Sequence, residues 1–283
     1  MIGITGATGH LGQLTIQALL DTGTPAPEIV ALVRDPQKAA ALAAKGVQVR
    51  QADYTRPETL GPALRGIDKL LLISSNDLTN RATSQKNVVD AAQQAGVKLL
   101  AYTSILRAAT SPMRMAEDHK ATEADIRASG VPFVFLRNGW YLENYSVAQA
   151  AQHGAVAGSA GAGRISAAPR ADYAAAAAAA LTQPDQAGRI YELGGDQAFT
   201  LSELATEIQA QSGQPVTYRD MPEADYAAML EGFGLPSSAA ETIADADTQA
   251  QRGALFTDSH DLSRLIGRPT TSLKDGVKAS LAG

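Results

Sequence analysis

Glycines at positions 6, 9 and 12, in Gly6–Ala7–Thr8–Gly9–His10–Leu11–Gly12, lie between the apolar run Ile2–Thr5 and a helix-like stretch, Leu11–Asp21. A strand, a glycine turn and a helix in that order make an anion cradle. Gly6 meets the dihedrals of the turn, Gly9 admits a pyrophosphate, Gly12 lets the helix pack on the strand, and the helix N-terminus faces the charge. The spacing is G-x-x-G-x-x-G rather than G-x-G-x-x-G, so it is the strand and helix on either side that point to a dinucleotide. After the second apolar run stands Arg34, where an acidic side chain would bond a ribose 2′-hydroxyl. A guanidinium there clamps a 2′-phosphate and favours NADPH, unless it only pairs with Asp35. Asp35 can itself accept a ribose hydroxyl, which keeps NADH open.

Further polar clusters close later apolar runs: Asp53–Tyr54, Ser74–Ser75–Asn76 and Thr103–Ser104. In a parallel sheet these strand ends are where adenine, ribose and nicotinamide lie, although helix capping also explains Ser and Asp there. The segment Leu136–Arg137–Asn138–Gly139–Trp140–Tyr141–Leu142–Glu143–Asn144–Tyr145 holds the only Trp together with two Tyr, two Asn and an Arg. Rings that stack and amides that orient oxygens suit a flat aromatic acceptor, with Asn138, Trp140, Tyr141 and Asn144 as its candidate contacts; the alternative is an aromatic packing cluster. His119 is a candidate hydrogen-bond donor to a reduced oxygen, with a solvated or capping role as the alternative.

The elements that must position these residues alternate. Ile2–Thr5, Ile29–Val33, Val47–Arg50, Lys69–Ile73, Leu99–Thr103 and Phe133–Leu136 read as strands. Helical stretches lie between them, near Leu11–Asp21, Pro36–Ala44, Pro57–Leu64, Arg81–Ala95 and Ala116–Ser129. Continuous apolar strands separated by helices predict an α/β Rossmann fold, a doubly wound parallel sheet. Residues 1–150 form the expected dinucleotide-binding domain, and residues 151–283 a smaller, mainly helical one, with an approximate boundary and segments that can interleave. A buried helix is expected over the alanine run Ala174–Ala180, another over Thr200–Ser212 capped by Thr200 or Ser202, and a short strand at Arg189–Leu193.

The bulk composition removes several function classes. A net charge of −5 without a basic stripe argues against nucleic acid. No apolar run is long enough to span a membrane, and the chain enters structure from its first residues, so a cytoplasmic protein is expected. There is no cysteine, and His10, His119, His153 and His260 have no metal-like spacing, so no metal is expected. Gly158–Gly163, the other glycine-rich stretch, reads as a loop without a preceding strand. No second dinucleotide motif is visible, and flavin is not expected. Oligomeric state is left open.

The motifs Ile4–Thr5–Gly6–Ala7–Thr8–Gly9, Ala31–Leu32–Val33–Arg34, Gln51–Ala52–Asp53–Tyr54, Leu72–Ile73–Ser74–Ser75, Ala101–Tyr102–Thr103–Ser104, Leu136–Arg137–Asn138–Gly139–Trp140–Tyr141 and Leu265–Ile266–Gly267 resemble those of the NmrA-like branch of the atypical short-chain dehydrogenases, nearly end to end. The resemblance implies NADPH contacts at Gly6 to Leu11, Arg34, Ser74 to Asn76 and Asn138 to Glu143 (Asn138, Gly139, Trp140, Tyr141, Leu142, Glu143), and at Arg170 unless that residue pairs with Asp172. It also implies two-electron reduction of a quinone as the activity.

One departure bears on chemistry. Short-chain dehydrogenases use Tyr-x-x-x-Lys as proton donor and support, and here Lys120 follows Ala116. Without that acid, carbonyl-to-alcohol reduction loses about 10²–10⁴ in rate. Hydride addition to a quinone leaves a hydroquinone anion, a much weaker base, and depends more on positioning. A dye reductase (triphenylmethane or azo), a reductase or isomerase of another conjugated small molecule, and a non-catalytic NADP(H)-sensing regulator are the rival readings.

Overall fold

Runs that are apolar at every position cannot leave either face in water, so they become central strands covered on both sides. The computed structural model describes residues 1–77 and 79–282; Leu78 and Gly283, the last residue of the expected second domain, lie outside the described residues. The strands are β1 (Ile2–Thr5), β2 (Ile29–Val33), β3 (Gln48–Gln51), β4 (Lys69–Leu72), β5 (Leu99–Ile105), β6 (Phe133–Asn138), β7 (Ala155–Gly158), β8 (Ile190–Leu193) and β9 (Thr217–Asp220). The helices are α1 (His10–Asp21), α2 (Ala40–Ala44), α3 (Pro57–Ala63), α4 (Arg81–Gln94), α5 (Ala116–Ser129), α6 (Val147–His153), α7 (Arg170–Thr182), α8 (Leu201–Ser212), α9 (Glu223–Gly232), α10 (Ser237–Ala250), α11 (Asp261–Ile266) and α12 (Leu273–Ala282).

The large sheet runs in the order β3-β2-β1-β4-β5-β6-β8. Its registers are parallel, with Ile4 opposite Ala31, Val30 opposite Gln48 and Leu71 opposite Ala101. All five residues of β2 and all seven of β5 are buried, as doubly covered strands require. The chain builds outward through β1, β2 and β3, then crosses back to β4. The order therefore reverses between β1 and β4, which is where open α/β sheets form their ligand crevice. The glycine turn leaves β1 at that point.

Two compact units interleave along the chain, where the sequence suggested an approximate boundary near residue 150. One comprises residues 1–105, 118–137 and 173–191; the other comprises 106–117, 138–172 and 192–283. Alternation follows from the chain leaving the first unit after β5, before the last residue of β6, and within β8. In the second unit a two-stranded parallel sheet joins β7 to β9, with Ala155 opposite Thr217 and Gly158 opposite Asp220. This corrects the reading of Gly158–Gly163, which does follow a strand. Ala-Val-Ala-Gly is too short and too poor in β-branched residues to announce itself, and pairing with β9 decides its conformation. Five of the seven alanines in the run Ala174–Ala180 of α7 are buried, in line with the expected buried helix. Thr200, not Ser202, caps α8: its hydroxyl accepts from the Glu203 N–H (3.1 Å) and Glu203 accepts from the Thr200 N–H (2.7 Å).

The first unit contains a buried ionic network. Glu123 on α5 accepts from Ser104 Oγ (2.7 Å), Arg137 Nε (2.8 Å) and Arg137 Nη2 (2.7 Å). It thereby ties α5 to the ends of β5 and β6. Removing one member of a buried pair leaves the other charge uncompensated. Glu123→Ala is expected to lower stability by about 3–5 kcal/mol, and Ser104→Ala by about 1 kcal/mol, in urea denaturation of each variant beside the wild type.

Candidate functional site

The turn after β1 is shaped by close backbone approach. Gly6 lies at φ +58°, and the Gly9 N–H closes the turn on the Gly6 carbonyl (2.9 Å). A Cβ on Gly12 would lie 2.4 Å from the Gly6 oxygen and 2.8 Å from Ala7 Cα, so only glycine lets the first turn of α1 press onto this loop. Gly9 is the N-cap of α1 and no side chain caps the helix, so His10 and its neighbours offer backbone N–H groups and the positive end of the helix. Thr8 is half-buried, Ala7 and Leu11 are buried. A cradle with no room for a Cβ and with uncapped N–H donors has the chemistry to take a pyrophosphate.

Around this turn, side chains pin the ends of the strands. Thr5 Oγ1 donates to the Leu71 carbonyl (3.0 Å) and accepts from the Ile73 N–H (2.9 Å). The Tyr54 hydroxyl bonds to Thr5 Oγ1 and to the Ile73 carbonyl (2.8 Å). Burial pushes the Tyr54 phenol well above its usual range. Thr103 Oγ1 accepts from the Ser74 N–H (2.9 Å). Ser75 is held on both sides of its backbone: its N–H by Gln85 Oε1 (3.1 Å) and its carbonyl by Arg81 Nε (2.8 Å). Asp53 accepts from the Thr55 N–H (2.9 Å) and Oγ1 (2.8 Å), a local turn. The hydroxyls of Tyr54 and Thr103 and Oδ1 of Asp53 are thus engaged in shaping the rim, where the sequence offered these residues as cofactor contacts. Asn76 is exposed. Arg34 is exposed too and makes no ion pair among the described residues; Asp35 instead accepts from the Gln37 N–H (3.0 Å). A free guanidinium beyond β2 is able to bind an anion.

In the second unit, Asn138, Tyr141, Glu143, Asn144 and Arg170 come together. Asn138 Nδ2 donates to the Tyr141 hydroxyl (3.1 Å), while Asn138 Oδ1 is buried with no partner among the described residues. The Arg170 N–H at the start of α7 donates to Glu143 (2.9 Å), its guanidinium donates to Asn144 Oδ1 (3.0 Å), and the same group stacks 4.8 Å from the Tyr141 ring centre. Arg170 therefore does not pair with Asp172, which bonds to Arg268 (2.7 Å) and the Thr271 N–H (2.7 Å). The Gly139 N–H donates to the Leu193 carbonyl (2.7 Å), Trp140 and Leu142 are buried, and Leu142 bonds through its N–H to the Ala168 carbonyl (3.0 Å). Asn138 Oδ1 is an acceptor suited to the N–H of a carboxamide.

His119 is a correction. It is 6% exposed, and its Nδ1 accepts from the hydroxyl of the fully buried Tyr102 (2.8 Å), which in turn accepts from Gln85 Nε2 (3.3 Å). Burial, reinforced by the Arg81 charge, depresses its pKa to about 3. A sealed neutral imidazole is a core group, not a proton donor to an acceptor. The sequence shows the residue type but not the desolvation. Conversely, the sequence reading passed over Glu123 and Asp247. Asp247 carried a signal: with Ala240 and Ala244 it follows the i, i+4, i+7 spacing of a buried helical face.

Among the described residues no helix is long and apolar enough to cross a membrane, and no group of three or more His, Asp or Glu is placed to hold a metal ion.

A seven-stranded parallel sheet with a glycine cradle at its reversal defines a dinucleotide-binding protein. Residues 6–184 match the model of the NAD(P)H-binding family, and the chain belongs to that family. Over 279 residues it is 52% identical to quinone oxidoreductase 2 of Escherichia coli (strain K12), covering 98% of this chain and 97% of that one. The crystal structure of the NADPH-dependent quinone oxidoreductase of E. coli complexed with NADPH is similar, with a TM-score of 0.95 at 52% identity over 99% of each chain. Citrobacter sp. triphenylmethane reductase complexed with NADP(H) gives a TM-score of 0.93 at 38% identity, covering 99% of this chain and 100% of that one.

Two outcomes follow from the site geometry. Gly12→Ala drives a methyl group into backbone and is expected to cost about 1–3 kcal/mol of stability, with weaker NADPH binding, measured by thermal melting and by fluorescence titration of the cofactor. His119 has a native pKa near 3, against about 6.5 unfolded. As pH falls below about 6.5 only the unfolded chain takes up this proton, so the His119 contribution to stability is complete above that pH and declines toward pH 3. Between pH 7.5 and 5 the wild type is expected to lose about 2 kcal/mol more than His119→Gln, compared by chemical denaturation at the two pH values. An equal loss in both proteins would mean that the native imidazole titrates freely.

Proposed function

We propose that the chain is an NADPH-dependent reductase that passes two electrons directly to a quinone, without flavin or metal. The observation that carries this reading is the 52% identity, over nearly the full length of both chains, to a quinone oxidoreductase. Geometry supports it. The Gly6–Gly12 cradle and the uncapped start of α1 would hold the pyrophosphate, with Ser74, Ser75 and Asn76 on the same rim. The unpaired Arg34 guanidinium would hold the 2′-phosphate. The buried, partnerless Asn138 Oδ1 would accept from the carboxamide, and Tyr141, Glu143, Asn144 and Arg170 form the adjoining set with Trp140. Bound NADPH supplies a hydride.

The residues of α5 favour a quinone over a ketone. Its buried polar groups, His119, Thr122 and Glu123, are engaged with Tyr102, with Gln85 and the Asp118 carbonyl, and with Ser104 and Arg137, and no Tyr-x-x-x-Lys pair offers an acid for an alkoxide. The triphenylmethane reductase likeness favours triphenylmethane dyes as a second acceptor class.

The test is oxidation of NADPH with and without 1,4-benzoquinone or a triphenylmethane dye, with NADH in parallel. Acceptor-dependent loss of the reduced-nicotinamide absorbance is expected, faster with NADPH. Arg34→Ala is expected to raise KM for NADPH roughly 10- to 100-fold, the loss of a charge-assisted bond, and to leave KM for NADH nearly unchanged. Tight NADPH binding with no turnover of any acceptor would instead favour a cofactor-sensing protein.

A further inference from the structure

α10 buries a face of alanines, and Asp247 sits in that face at 1% exposure. Its one hydrogen bond among the described residues is a long one, from the Ser159 N–H to Oδ2 (3.2 Å). The groups facing it are Tyr145, which precedes α6, Tyr218 and Asp220 on β9, and Tyr226 on α9; none is a cation. Tyr218 is already engaged: its hydroxyl accepts from the Ala160 (2.9 Å) and Gly161 (3.1 Å) N–H groups and donates to Asp220 (2.6 Å). Tyr145 and Ser159 are not. Both hydroxyls are buried with no partner among the described residues, which is rare enough in folded proteins to need an explanation. The Tyr145 ring lies edge-on to Phe199, with centroids 6.5 Å apart, and is only half-buried although its hydroxyl is enclosed. Gly158 belongs to the same arrangement, since a Cβ there would lie 2.5 Å from Asp247 Oδ2.

We propose that Asp247, Tyr145 and Ser159 form the polar pocket that receives a carbonyl oxygen of an aromatic acceptor, and that the Asp247 carboxyl gives that oxygen its proton. The proposal rests on the quinone-reductase reading. Two partnerless hydroxyls can each donate to a carbonyl oxygen, and aromatic rings around them suit a flat ring. Burial, partly offset by the Ser159 N–H and increased by the Asp220 charge, pushes the Asp247 carboxyl up to about 7, so it carries its proton over much of the neutral range. Addition of a hydride to the quinone, with NADPH as donor, leaves one oxygen as an anion. The Asp247 O–H bond breaks as the hydroquinone O–H bond forms, and the resulting carboxylate regains a proton from solvent. In sum, quinone, hydride and one proton give hydroquinone.

Two measurements test this. Hydroquinone is titrated calorimetrically into the NADP⁺-loaded wild type, Tyr145→Phe and Asp247→Asn; each variant is expected to bind it about 10-fold more weakly or worse, with NADP⁺ affinity unchanged. In turnover, wild-type kcat/KM for 1,4-benzoquinone is expected to fall above about pH 7. Asp247→Asn should lack that fall and be roughly 10²-fold slower at pH 6. Unchanged hydroquinone affinity in the variants, with changes confined to melting temperature, would mean that the cluster houses ordered water and would overturn the proposal. Should Asp247→Asn not fold, Tyr145→Phe decides, because it only removes a partnerless hydroxyl. Wild-type turnover matched by both variants would sink the pocket and leave the quinone-reductase reading intact. Hydroquinone binding that depends on both residues, without any quinone turnover, would do the reverse.

Discussion

The first turn of α1 rests directly on the backbone of the loop that precedes it, and much of the first unit is arranged around that contact. With 2.4 Å between a would-be Cβ of Gly12 and the Gly6 oxygen, no other residue permits the same approach. Because α1 begins here, its free N–H groups point to the end of β1 at the reversal of strand order. The neighbouring strand ends are then held by side chains rather than by the ladder. Thr5 links β1 to the exit of β4, Tyr54 joins the same junction from beyond β3, and Thr103 secures Ser74. A rim built this way is preorganised, since its backbone donors and acceptors are placed before any ligand arrives.

Charge is distributed to the same end. Glu123 and Arg137 are buried and satisfy each other, and Arg81, also buried, bonds to the Ser75 carbonyl and lies 3.8 Å from Asp118. These groups fix elements. Arg34 is exposed and has no ion pair among the described residues, so its guanidinium retains its capacity for an external anion. In the second unit Arg170 combines both roles, bonded to Glu143 and Asn144 while stacked on Tyr141.

Legibility in the sequence followed the strength of local constraint. The buried strand Ile29–Val33 and the glycine cradle were readable because hydrophobic continuity and backbone sterics act within a few residues. β7 and β9 were not, because each gains its conformation only from the other. The pairing of Arg170 was equally hidden: Asp172 is its neighbour in sequence, yet Asp172 turns to Arg268, 96 positions away, and Glu143 takes its place. Side-chain chemistry at Tyr54 and Thr103 was located but not understood, since a polar residue at a strand end serves a ligand or its own rim with the same sequence signature.

His119 and Asp247 show why residue type alone misleads about proton transfer. The same physical cause, removal from water, acts on both and has opposite consequences. It favours the neutral form of each, which for an imidazole is the deprotonated base and for a carboxyl is the protonated acid. His119, with a reference pKa near neutrality, is driven far below it and is not an acid at neutral pH; Asp247, normally ionised, is driven up to about 7 and can act as one. A carboxyl of that strength is a stronger acid than a tyrosine phenol and can give its proton to the conjugate base of a weaker acid. It is sufficient for a hydroquinone anion, whose charge is spread into an aromatic ring. On the proposed reading, the carboxyl on α10 supplies the proton that α5, without Tyr-x-x-x-Lys, does not.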